Sequence, residues 1–386
     1  MITIRTVKTS PELEVLRTRW EGWQNHPNSD FAHFLLVCRL RREVLSPYVL
    51  IAERDGLPCA MLAARLELAR LVPSIGYFKL ARIPAKVLTV VYQGLLGQAD
   101  EEIGKALVRH MWFLLASGEA DAVAFHHLPE RSTLHQSLVA HGPRWWCEKK
   151  PTWSTHRRMS LPEEPGFLLK KMRDTHRYRI RKKQKELDSA FPARVSWRWM
   201  SRFEDIPGLC ARLETVAART YQRGLGAGFV DNEEYRQRFA LFANRGQLRV
   251  QLMEIDGEVR AFWTGTIYKG VFHASDTGYD PDLGVYQPGT LIFIRMVDEL
   301  AREGVRKLDF GLGDASYKQR FGEQSFQEAP FRIFAPTAKG LALRSILGAT
   351  IVLDGAARRL VQGAGGLDWL KTRWRRRLAS AGSQKN

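Results

Sequence analysis

The chain has 386 residues, of which 45% are hydrophobic and 26% are charged, as is typical of a globular protein with one or two domains. The sequence contains no run of about 18 apolar residues, so we expect no membrane-spanning helix, and its first residues lack the basic-then-apolar order of a secretory signal. The formal net charge of +18 is unusual. We expect a cytoplasmic protein, with a peripheral position at the inner membrane as the alternative.

Two segments carry almost all of the excess positive charge. Residues 170–185 contain nine Lys and Arg and one Asp, and residues 338–386 contain ten Lys and Arg and two Asp. Each segment therefore has a net charge of +8, and the remainder of the chain is close to neutral. Basic patches of this kind favour anionic partners such as nucleic acid, acidic lipid or phosphorylated ligands.

The residues that bind metals most often show no ligand spacing. Cys38, Cys59, Cys147 and Cys210 are far apart in the sequence, and the ten histidines form no pair at metal-ligand spacing. We therefore predict no metal site and four reduced thiols.

The first half of the chain predicts alternating strands and helices. Asp55-Gly56 between two β-prone runs is a strong hairpin signal. The predicted strands are 2–7, 48–53, 59–68, 75–80, 87–92, 122–126 and 153–159. The predicted helices are 10–23, 30–44, 101–117 and 132–141, the first of them capped by Ser10.

The second half repeats this plan. The sequence around Asp55-Gly56 matches that around Asp256-Gly257, and the helix–strand stretch from Gly104 matches the one from Gly289. Two copies in one order predict two similar α/β units with mixed sheets. The expected domains are 1–160 and 161–336, joined by a basic helix at 163–187. Residues 337–386 are expected to form a basic helical extension, with helices at 338–347 and 350–362, and a disordered tail.

A strand–helix–strand unit occupies the end of the second half. Its predicted elements are a strand at 272–279, a Gly- and Pro-rich loop, a helix at 291–301, a short buried strand at 307–310 and a short helix. In α/β folds the start of such a helix offers free N–H groups to anions.

The stretch YQPGTLIFIRMVDELAREGVRKLDFGLGDASYKQRFG resembles the C-terminal half of the CelD/BcsL-type branch of the GNAT superfamily of N-acetyltransferases. The resemblance implies two tandem GNAT-like domains and transfer of an acyl group from acetyl-CoA or another acyl-CoA to an amine acceptor. It also implies a link to cellulose, exopolysaccharide or cell-envelope biosynthesis. The positions that fit the pattern are Gly289, Asp309, Phe310, Gly313, Asp314, Tyr317 and Lys318.

The resemblance places the donor's pyrophosphate at the helix start formed by Gln287, Pro288, Gly289 and Thr290. Gly289 would allow close backbone approach, and Thr290 would cap the helix or bind an oxygen. The alternative is that this turn only starts the helix. The first copy has Glu101-Glu102 at the corresponding place, and two carboxylates there would repel a pyrophosphate, so that half is expected to be structural or to build the acceptor side.

Three residues are candidates for catalysis. Asp309 ends a strand that is predicted to be buried, so it is either a general base or an anchor for the following glycine loop. His273 has a pKa range suited to proton transfer, or it is a satisfied core residue. The resemblance makes Tyr317 the acid that protonates the leaving thiolate, with strand amides near 275–277 polarising the acyl carbonyl.

Three further residues are predicted to bind substrate. Asp276 lies on one strand face, with His273, Ser275, Thr277 and Tyr279 on the other. Asp314 is either a substrate ligand or a cap. Lys318 is either a ligand for a substrate carboxylate or phosphate or a surface residue.

The basic helix places Arg173, Arg177 and Arg181, followed by Lys185, on one stripe, which we predict to bind anions; the alternative is a solvated face. The segment 369–377 interleaves Trp369 and Trp374 with basic residues, as suits an anionic membrane surface. Two rival functions follow. FemABX-type enzymes share the tandem plan and use aminoacyl-tRNA, so tRNA is an alternative partner, and a degenerate transferase fold would act as a membrane-surface scaffold.

Overall fold

The computed structural model describes residues 1–75, 78–148, 151–161, 163–224, 226–313 and 315–363. Its strands are β1 (Ile2–Val7), β2 (Val44–Arg54), β3 (Leu57–Leu71), β4 (Ser74–Ile75), β5 (Phe78–Lys79), β6 (Ile83–Gly97), β7 (Ala122–Pro129), β8 (Ser154–Ser160), β9 (Val195–Met200), β10 (Leu248–Ile255), β11 (Glu258–Tyr268), β12 (Val271–Tyr279), β13 (Lys307–Asp309) and β14 (Glu323–Phe334).

The α-helices are α1 (Ser10–Val15), α2 (Arg17–Trp23), α3 (Phe31–Leu40), α4 (Glu101–Ala116), α5 (Thr133–His141), α6 (Phe167–Lys171), α7 (Asp174–Ala190), α8 (Ile206–Ala217), α9 (Tyr221–Gly224), α10 (Glu233–Asn244), α11 (Pro288–Arg302), α12 (Ser316–Phe321) and α13 (Ala338–Gly363). Two 3-10 turns, Pro27–Ser29 and Pro281–Tyr286, precede α3 and α11.

The described residues divide into two compact units. Unit 1 contains residues 1–156, 312–313 and 325–363, and unit 2 contains residues 157–311 and 315–324. The expected boundary near residue 160 lies close to the change at 156. The last strand differs from expectation, because residues 325–334 of β14 cluster with unit 1 and not with the second domain. The reason is pairing, since β14 is antiparallel to β7 of unit 1, with Phe331 opposite Phe125.

In unit 1 the strand order is β1-β2-β3-β6-β7-β14, and each described pairing is antiparallel except the parallel pair β6–β7. Helix α4 buries Leu107 and Met111 on one core, which includes Leu50 and Leu62. Trp20 and its neighbours in α2 and α3 form a second core. The alternation of side chains along each strand therefore supplies two apolar faces.

Unit 2 has the order β8-β13-β12-β11-β10-β9, again antiparallel except for one parallel pair, β12–β13. Helices α7 and α11 pack on one face, where Leu187 and Ile292 meet Trp263. Helices α8 and α10 pack on the other face, where Leu213 and Phe239 meet Phe262. Trp263 and Phe262 are consecutive residues of β11, so the two cores lie on opposite sides of the strand.

The two units repeat the same sequence of elements, which confirms the predicted tandem α/β fold. Both predicted hairpins are present, with φ angles of 52° and 80° at Asp55 and Gly56 and of 54° and 79° at Asp256 and Gly257. Positive φ at both positions is the geometry of a two-residue hairpin turn. In each unit a long helix, α4 or α11, joins the two strands that pair in parallel.

Four predicted helices are divided, shortened or merged in the structure. The expected helix at 10–23 is two helices, α1 and α2, separated at Leu16. The expected helix at 163–187 begins later, at Phe167, because Gly166 has a left-handed φ of 78°, and it breaks at Met172, which is extended. Helices expected at 338–347 and 350–362 are one helix, α13, because Gly348 does not interrupt it.

Within the described residues, none of the helices has the length and apolar character needed to cross a membrane.

Candidate active site

A gap opens in unit 2 where the parallel pairing of β12 and β13 ends. The two strands pair only from Val271 opposite Lys307 to His273 opposite Asp309, while β12 continues beside β11 to Tyr279. The register of β11 and β12 shifts between Trp263 and Gly265. Residues of β12 that follow His273 therefore have no β13 partner, and we call the end of this pairing the gap.

Asp276 lies at this gap, and its side chain is only 9% exposed. It accepts a hydrogen bond from the hydroxyl of Tyr235 at 3.2 Å and from Arg238 at 3.5 Å, both in α10. Burial raises the pKa of Asp276, against the opposing effects of the Arg238 charge and the Tyr235 hydrogen bond. Burial and the Asp276 charge raise the pKa of Tyr235 to about 12, so its hydroxyl remains a donor at neutral pH. Asp276 thus has the environment of a general base or proton store.

The backbone amide of Asp276 donates to the hydroxyl of Thr264 at 3.1 Å. That amide is one of the three near 275–277 that were predicted to polarise an acyl carbonyl, and it is engaged by a side chain in this structure.

Asp309 ends β13 and is almost fully buried. Its Oδ2 accepts from Nε of Arg158 at 2.9 Å, and its Oδ1 accepts from the amide of Gly311 at 2.8 Å. Both oxygens are therefore held by the chain. Two roles were predicted for Asp309, a general base and an anchor for the glycine loop, and this geometry favours the anchor.

His273 is a buried residue of β12, opposite Thr266 of β11 and Asp309 of β13. It belongs to the last parallel pair before the gap. The structure therefore brings His273 and Asp309 together on neighbouring strands, whereas Asp276 lies further along β12.

Tyr317 and Lys318 lie in α12, which follows β13. The Tyr317 ring meets the edges of Trp263 and Phe310, with centroid distances of 5.7 and 6.1 Å. Lys318 is buried, and its Nζ donates to the carbonyl of Gly311 at 3.1 Å. Lys318 thus holds the loop after β13, in contrast to the surface role considered above.

Trp263 borders the same region and has an unusual indole nitrogen. The side chain is 4% exposed, and its Nε1–H has no acceptor within the described part of the chain. A buried donor without an acceptor is costly. A ligand oxygen beside Tyr317 would supply the missing acceptor.

The predicted donor turn forms the start of α11. Gln287 has a left-handed φ of 55° and Pro288 is the first helical residue, while the amides of Thr290 and Leu291 donate to the carbonyl of Gln287. No side chain caps this helix, so Thr290 is not the cap. Gly289 lies against the ring of Tyr279, where an added Cβ would be 3.2 Å from a ring carbon.

The basic helix does not present a single stripe. Arg177 bonds Asp174 and the carbonyl of Lys170, and Arg173 lines a separate cavity of about 1220 Å³. Arg181 lines a groove of about 650 Å³ between α7 and the turn before α11. We call this the α7 groove; its lining residues are Tyr178, Arg181, Lys182, Lys185, Glu186, Ser189 and Tyr286.

Two cations of the α7 groove are available to a ligand, whereas a third, Lys182, lies 4.0 Å from Glu186. Arg181 and Lys185 pair with no carboxylate in the residues that the structure describes. The acid of the groove, Glu186, bonds Lys183 at 2.7 Å. The groove therefore carries an uncompensated positive charge.

Several functional side chains were not predicted. Tyr235 and Arg238 come from α10, Arg158 comes from β8, and Trp263 comes from the middle of β11. Trp263 could have been identified from the sequence, because side chains alternate along β11 and this alternation places the indole N–H on the side of the sheet that packs against α11. The other three meet their partners only through the fold.

Two earlier predictions cannot be placed. Asp314, predicted to bind substrate, and the basic segment 369–377 lie outside the described residues. The described residues contain no cluster of three or more His, Cys, Asp or Glu side chains arranged for a metal.

The corresponding gap in unit 1 is filled by side chains. Strands β6 and β7 pair in parallel from Val87 to Val90, and beyond that point Tyr92 donates to Glu328 at 3.0 Å while His156 Nδ1 lies 3.0 Å from the same carboxylate. Glu328 and His156 are fully buried. Helix α4 follows this gap. Asp100 caps its start, and two glutamates occupy its first turn.

A family model and several solved structures are similar to this chain. The family model described as an acetyltransferase (GNAT) domain matches residues 174–319. FemX has a similar structure, with a TM-score of 0.56, 9% identity and coverage of 89% of this chain and 100% of FemX. A tandem GNAT protein from the clavulanic acid biosynthesis pathway has a TM-score of 0.50 and 13% identity, over 87% of this chain and 100% of that protein.

L-PGS from Bacillus licheniformis has a TM-score of 0.48 and 11% identity, over 89% of this chain and 97% of that chain. No curated protein matches the sequence. At these identities the structural likeness concerns the fold alone. The chain is a tandem GNAT-like α/β protein, and its residues 174–319 match an acetyltransferase (GNAT) domain.

Proposed function

We propose that unit 2 is an N-acyltransferase of the CelD/BcsL type, which moves an acyl group from an acyl-CoA to an amine acceptor in cell-envelope or exopolysaccharide biosynthesis. The observation that carries the proposal is the gap beyond His273 and Asp309, with Asp276 on one face of the sheet and Tyr317 on the other. Thr264 contacts Asp276 and Trp263 contacts Tyr317, and these consecutive residues point to opposite faces. An acceptor and a donor can therefore meet through the gap from opposite sides.

Asp276 acts as the general base. Its raised pKa suits a carboxylate that must take a proton from an ammonium or amine near neutral pH. As the C–N bond forms and the C–S bond of the thioester breaks, the amine proton passes to Asp276. Tyr235 and Arg238 hold the carboxylate in place through the contacts described above.

Tyr317 supplies the proton for the departing thiolate, and the packing of its ring on Trp263 and Phe310 fixes its position. The indole N–H of Trp263 donates to an oxygen of the acyl donor, which explains why a buried donor lacks an acceptor in the chain. Asp309, Arg158 and Lys318 hold the loop that borders the gap.

The donor's phosphates lie at the α7 groove and the adjoining turn of Gln287 to Thr290. Three groove cations, Arg181, Lys182 and Lys185, complement phosphate charge. Tyr178 and Tyr286 provide aromatic walls against which a nucleobase can stack. A bound acyl-CoA would supply an activated carbonyl and a thiol leaving group.

The test is release of CoA thiol from acetyl-CoA in the presence of a panel of amines. Asp276→Asn and Tyr317→Phe should each lower the rate by about 10²- to 10⁴-fold, without changing the far-ultraviolet circular dichroism. Glu258→Gln is the matched control, because this carboxylate is 70% exposed at the start of β11 and lies outside the gap and the α7 groove. Unchanged rates in both variants would refute the assigned roles.

A second candidate function is aminoacyl transfer from tRNA. The likeness of the fold to FemX favours it, as do Arg181 and Lys185, which pair with no carboxylate among the described residues. This function requires tRNA to bind tightly at low salt and to be released steeply as salt rises, whereas a CoA donor contacts only a few cations. Filter binding of tRNA with and without competing acetyl-CoA separates the two.

A further inference from the structure

Helix α13 exposes an apolar face to solvent. Four large side chains of this face are 42–58% exposed: Leu341, Ile346, Val352 and Leu353. The other exposed positions between them are occupied by small residues: Ala342, Ser345, Ala349 and Ala356. We call this surface the outer face of α13.

The outer face is continuous. At about 100° per residue, its members from Leu341 to Ala356 cover an arc of roughly 140°. The charged residues of the same part of the helix, Lys339, Arg344 and Asp354, fall outside this arc. The exposed residues are thus sorted by character and are not scattered singly over the surface.

The opposite side of α13 already has a partner. Leu343 and Leu347 are buried against Ala85, Val87 and Phe334 of unit 1. A helix that packs on a core with one side normally presents polar residues on the other. Packing against unit 1 does not account for the apolar character of the outer face. A contiguous exposed apolar surface of this kind marks an interaction site.

The sequence next to the outer face indicates the partner. Residues 357–386 contain eight Lys and Arg, one Asp and two Trp. An apolar helix face followed by basic residues and tryptophan is the composition of segments that lie in the interface of anionic bilayers. A second copy of the chain would bring two strongly basic segments together, which like-charge repulsion opposes.

We propose that the outer face of α13 docks on the surface of a bilayer that contains anionic lipid. The helix lies in the plane of the interface, and its four large apolar side chains enter the acyl boundary. This inference is independent of the acyl-transfer reaction, because α13 belongs to unit 1 and the proposed reaction uses unit 2.

The experiment is co-sedimentation of the full chain with vesicles of phosphatidylcholine alone and of phosphatidylcholine mixed with phosphatidylglycerol. The wild-type protein should bind the mixed vesicles, and Ile346→Ser/Val352→Ser should weaken that binding at least about tenfold. The control is Val15→Ser/Leu57→Ser, which removes two side chains that are 86% and 70% exposed elsewhere in unit 1. The control should bind like wild type, and both variants should keep the wild-type melting temperature.

Three results would overturn the proposal. The first is the absence of wild-type binding to the mixed vesicles. The second is equal binding by the wild type and Ile346→Ser/Val352→Ser, since the basic segment alone would then account for attachment. The third is a change of oligomeric state by light scattering in that variant with vesicle binding intact, which would assign the face to a second copy of the chain.

Discussion

Nε of Arg158 in β8 lies 2.9 Å from Oδ2 of Asp309, and the two residues are 151 positions apart in the sequence. The pair joins neighbouring strands at the residue where the parallel pairing of β12 and β13 ends. Because Gly311 occupies the second oxygen of Asp309, the carboxylate fixes the edge of the gap. We propose Asp276 for proton transfer, at a position that was predicted to bind substrate.

The first prediction concerns Asp309 as an anchor. Asp309→Ala should lower the free energy of unfolding by about 1–3 kcal/mol, because it leaves the amide of Gly311 and Arg158 without their acceptor. The predicted loss of unfolding free energy is smaller than for a fully buried ion pair, because the Arg158 side chain is 49% exposed. Urea denaturation measures the change.

The control for this prediction is Asp256→Asn, which breaks an ion pair with Arg194 whose two side chains are about half exposed. Asn tolerates the positive φ of this turn position, so the stability of the control should stay close to that of wild type. If Asp309→Asn kept full stability and lost acyl transfer, Asp309 would be a base and not an anchor.

The second prediction concerns the pH dependence of Asp276. Burial raises its pKa in the folded protein, so the folded state binds the proton more tightly than the unfolded chain. The stability from this group is complete below the ordinary Asp pKa and is lost as the pH rises through the raised pKa. Asn cannot ionise, so Asp276→Asn should lose less free energy of unfolding than wild type between about pH 4 and about pH 8.

Paired urea curves at the two pH values measure this difference. Glu258→Gln serves as control, because that carboxylate lies on the exposed end of β11 and is 70% exposed. Parallel pH profiles for wild type and Asp276→Asn would contradict the raised pKa.

The third prediction concerns Gly265, beside the register shift of β11 and β12. A Cβ at this position would overlap the ring of Phe272 and lie 2.7 Å from the carbonyl of His273. Gly265→Ala should therefore cost about 1–3 kcal/mol of stability through overpacking and should distort the gap. Gly22→Ala in α2 is the matched control, because no atom lies within 4 Å of its added Cβ.

Thermal unfolding distinguishes the two substitutions. The control should gain up to about 1 kcal/mol from helix propensity. A Gly265→Ala protein as stable as wild type would show that Phe272 can move aside and that the glycine is not required there.

The fourth prediction concerns the α7 groove. Arg181→Ala/Lys185→Ala should weaken acetyl-CoA binding by on the order of tenfold, since each exposed charge pair contributes about 0.2–1 kcal/mol. Dephospho-CoA should be affected less, because it has lost one phosphate. Fluorescence titration at two salt concentrations measures both, and the difference between proteins should shrink at the higher salt.

Arg179→Ala is the control for the groove, because Arg179 lies on α7 but contacts His176 and not the groove. If Arg179→Ala weakened acetyl-CoA binding equally, the net charge of the helix would account for the binding, and the α7 groove would not be the binding site.

Local signals in the sequence were sufficient for the hairpins and the repeated helices. Asp55-Gly56 and Asp256-Gly257 specify their turns with two adjacent residues, and the apolar spacing of α4 and α11 identifies each helix. The resemblance in the second half also identified the end of β13 and the start of α11 as borders of a site.

Long-range pairings could not be predicted from local pattern. Strand β14 pairs with β7 some 200 positions earlier, so the division at residue 336 does not match the units. The environment of Asp276 depends on Tyr235 and Arg238 in α10. These contacts cannot be read from the strand pattern, so the sequence did not indicate that Asp276 and Asp309 have different roles. The predicted stripe of Arg173, Arg177 and Arg181 assumed one uninterrupted helix. Helix α7 instead starts at Asp174, so Arg173 is its N-cap residue and lines another cavity.

Calorimetric titration of the full chain with acetyl-CoA tests the central claim most directly. The account predicts saturable binding in the micromolar range, which is weakened in Gly289→Glu, because that variant puts a carboxylate at the start of α11 and a Cβ against Tyr279. The absence of binding to acetyl-CoA and to a longer acyl-CoA would contradict an acyl-CoA-dependent transferase, and aminoacyl-tRNA would then be the donor to titrate.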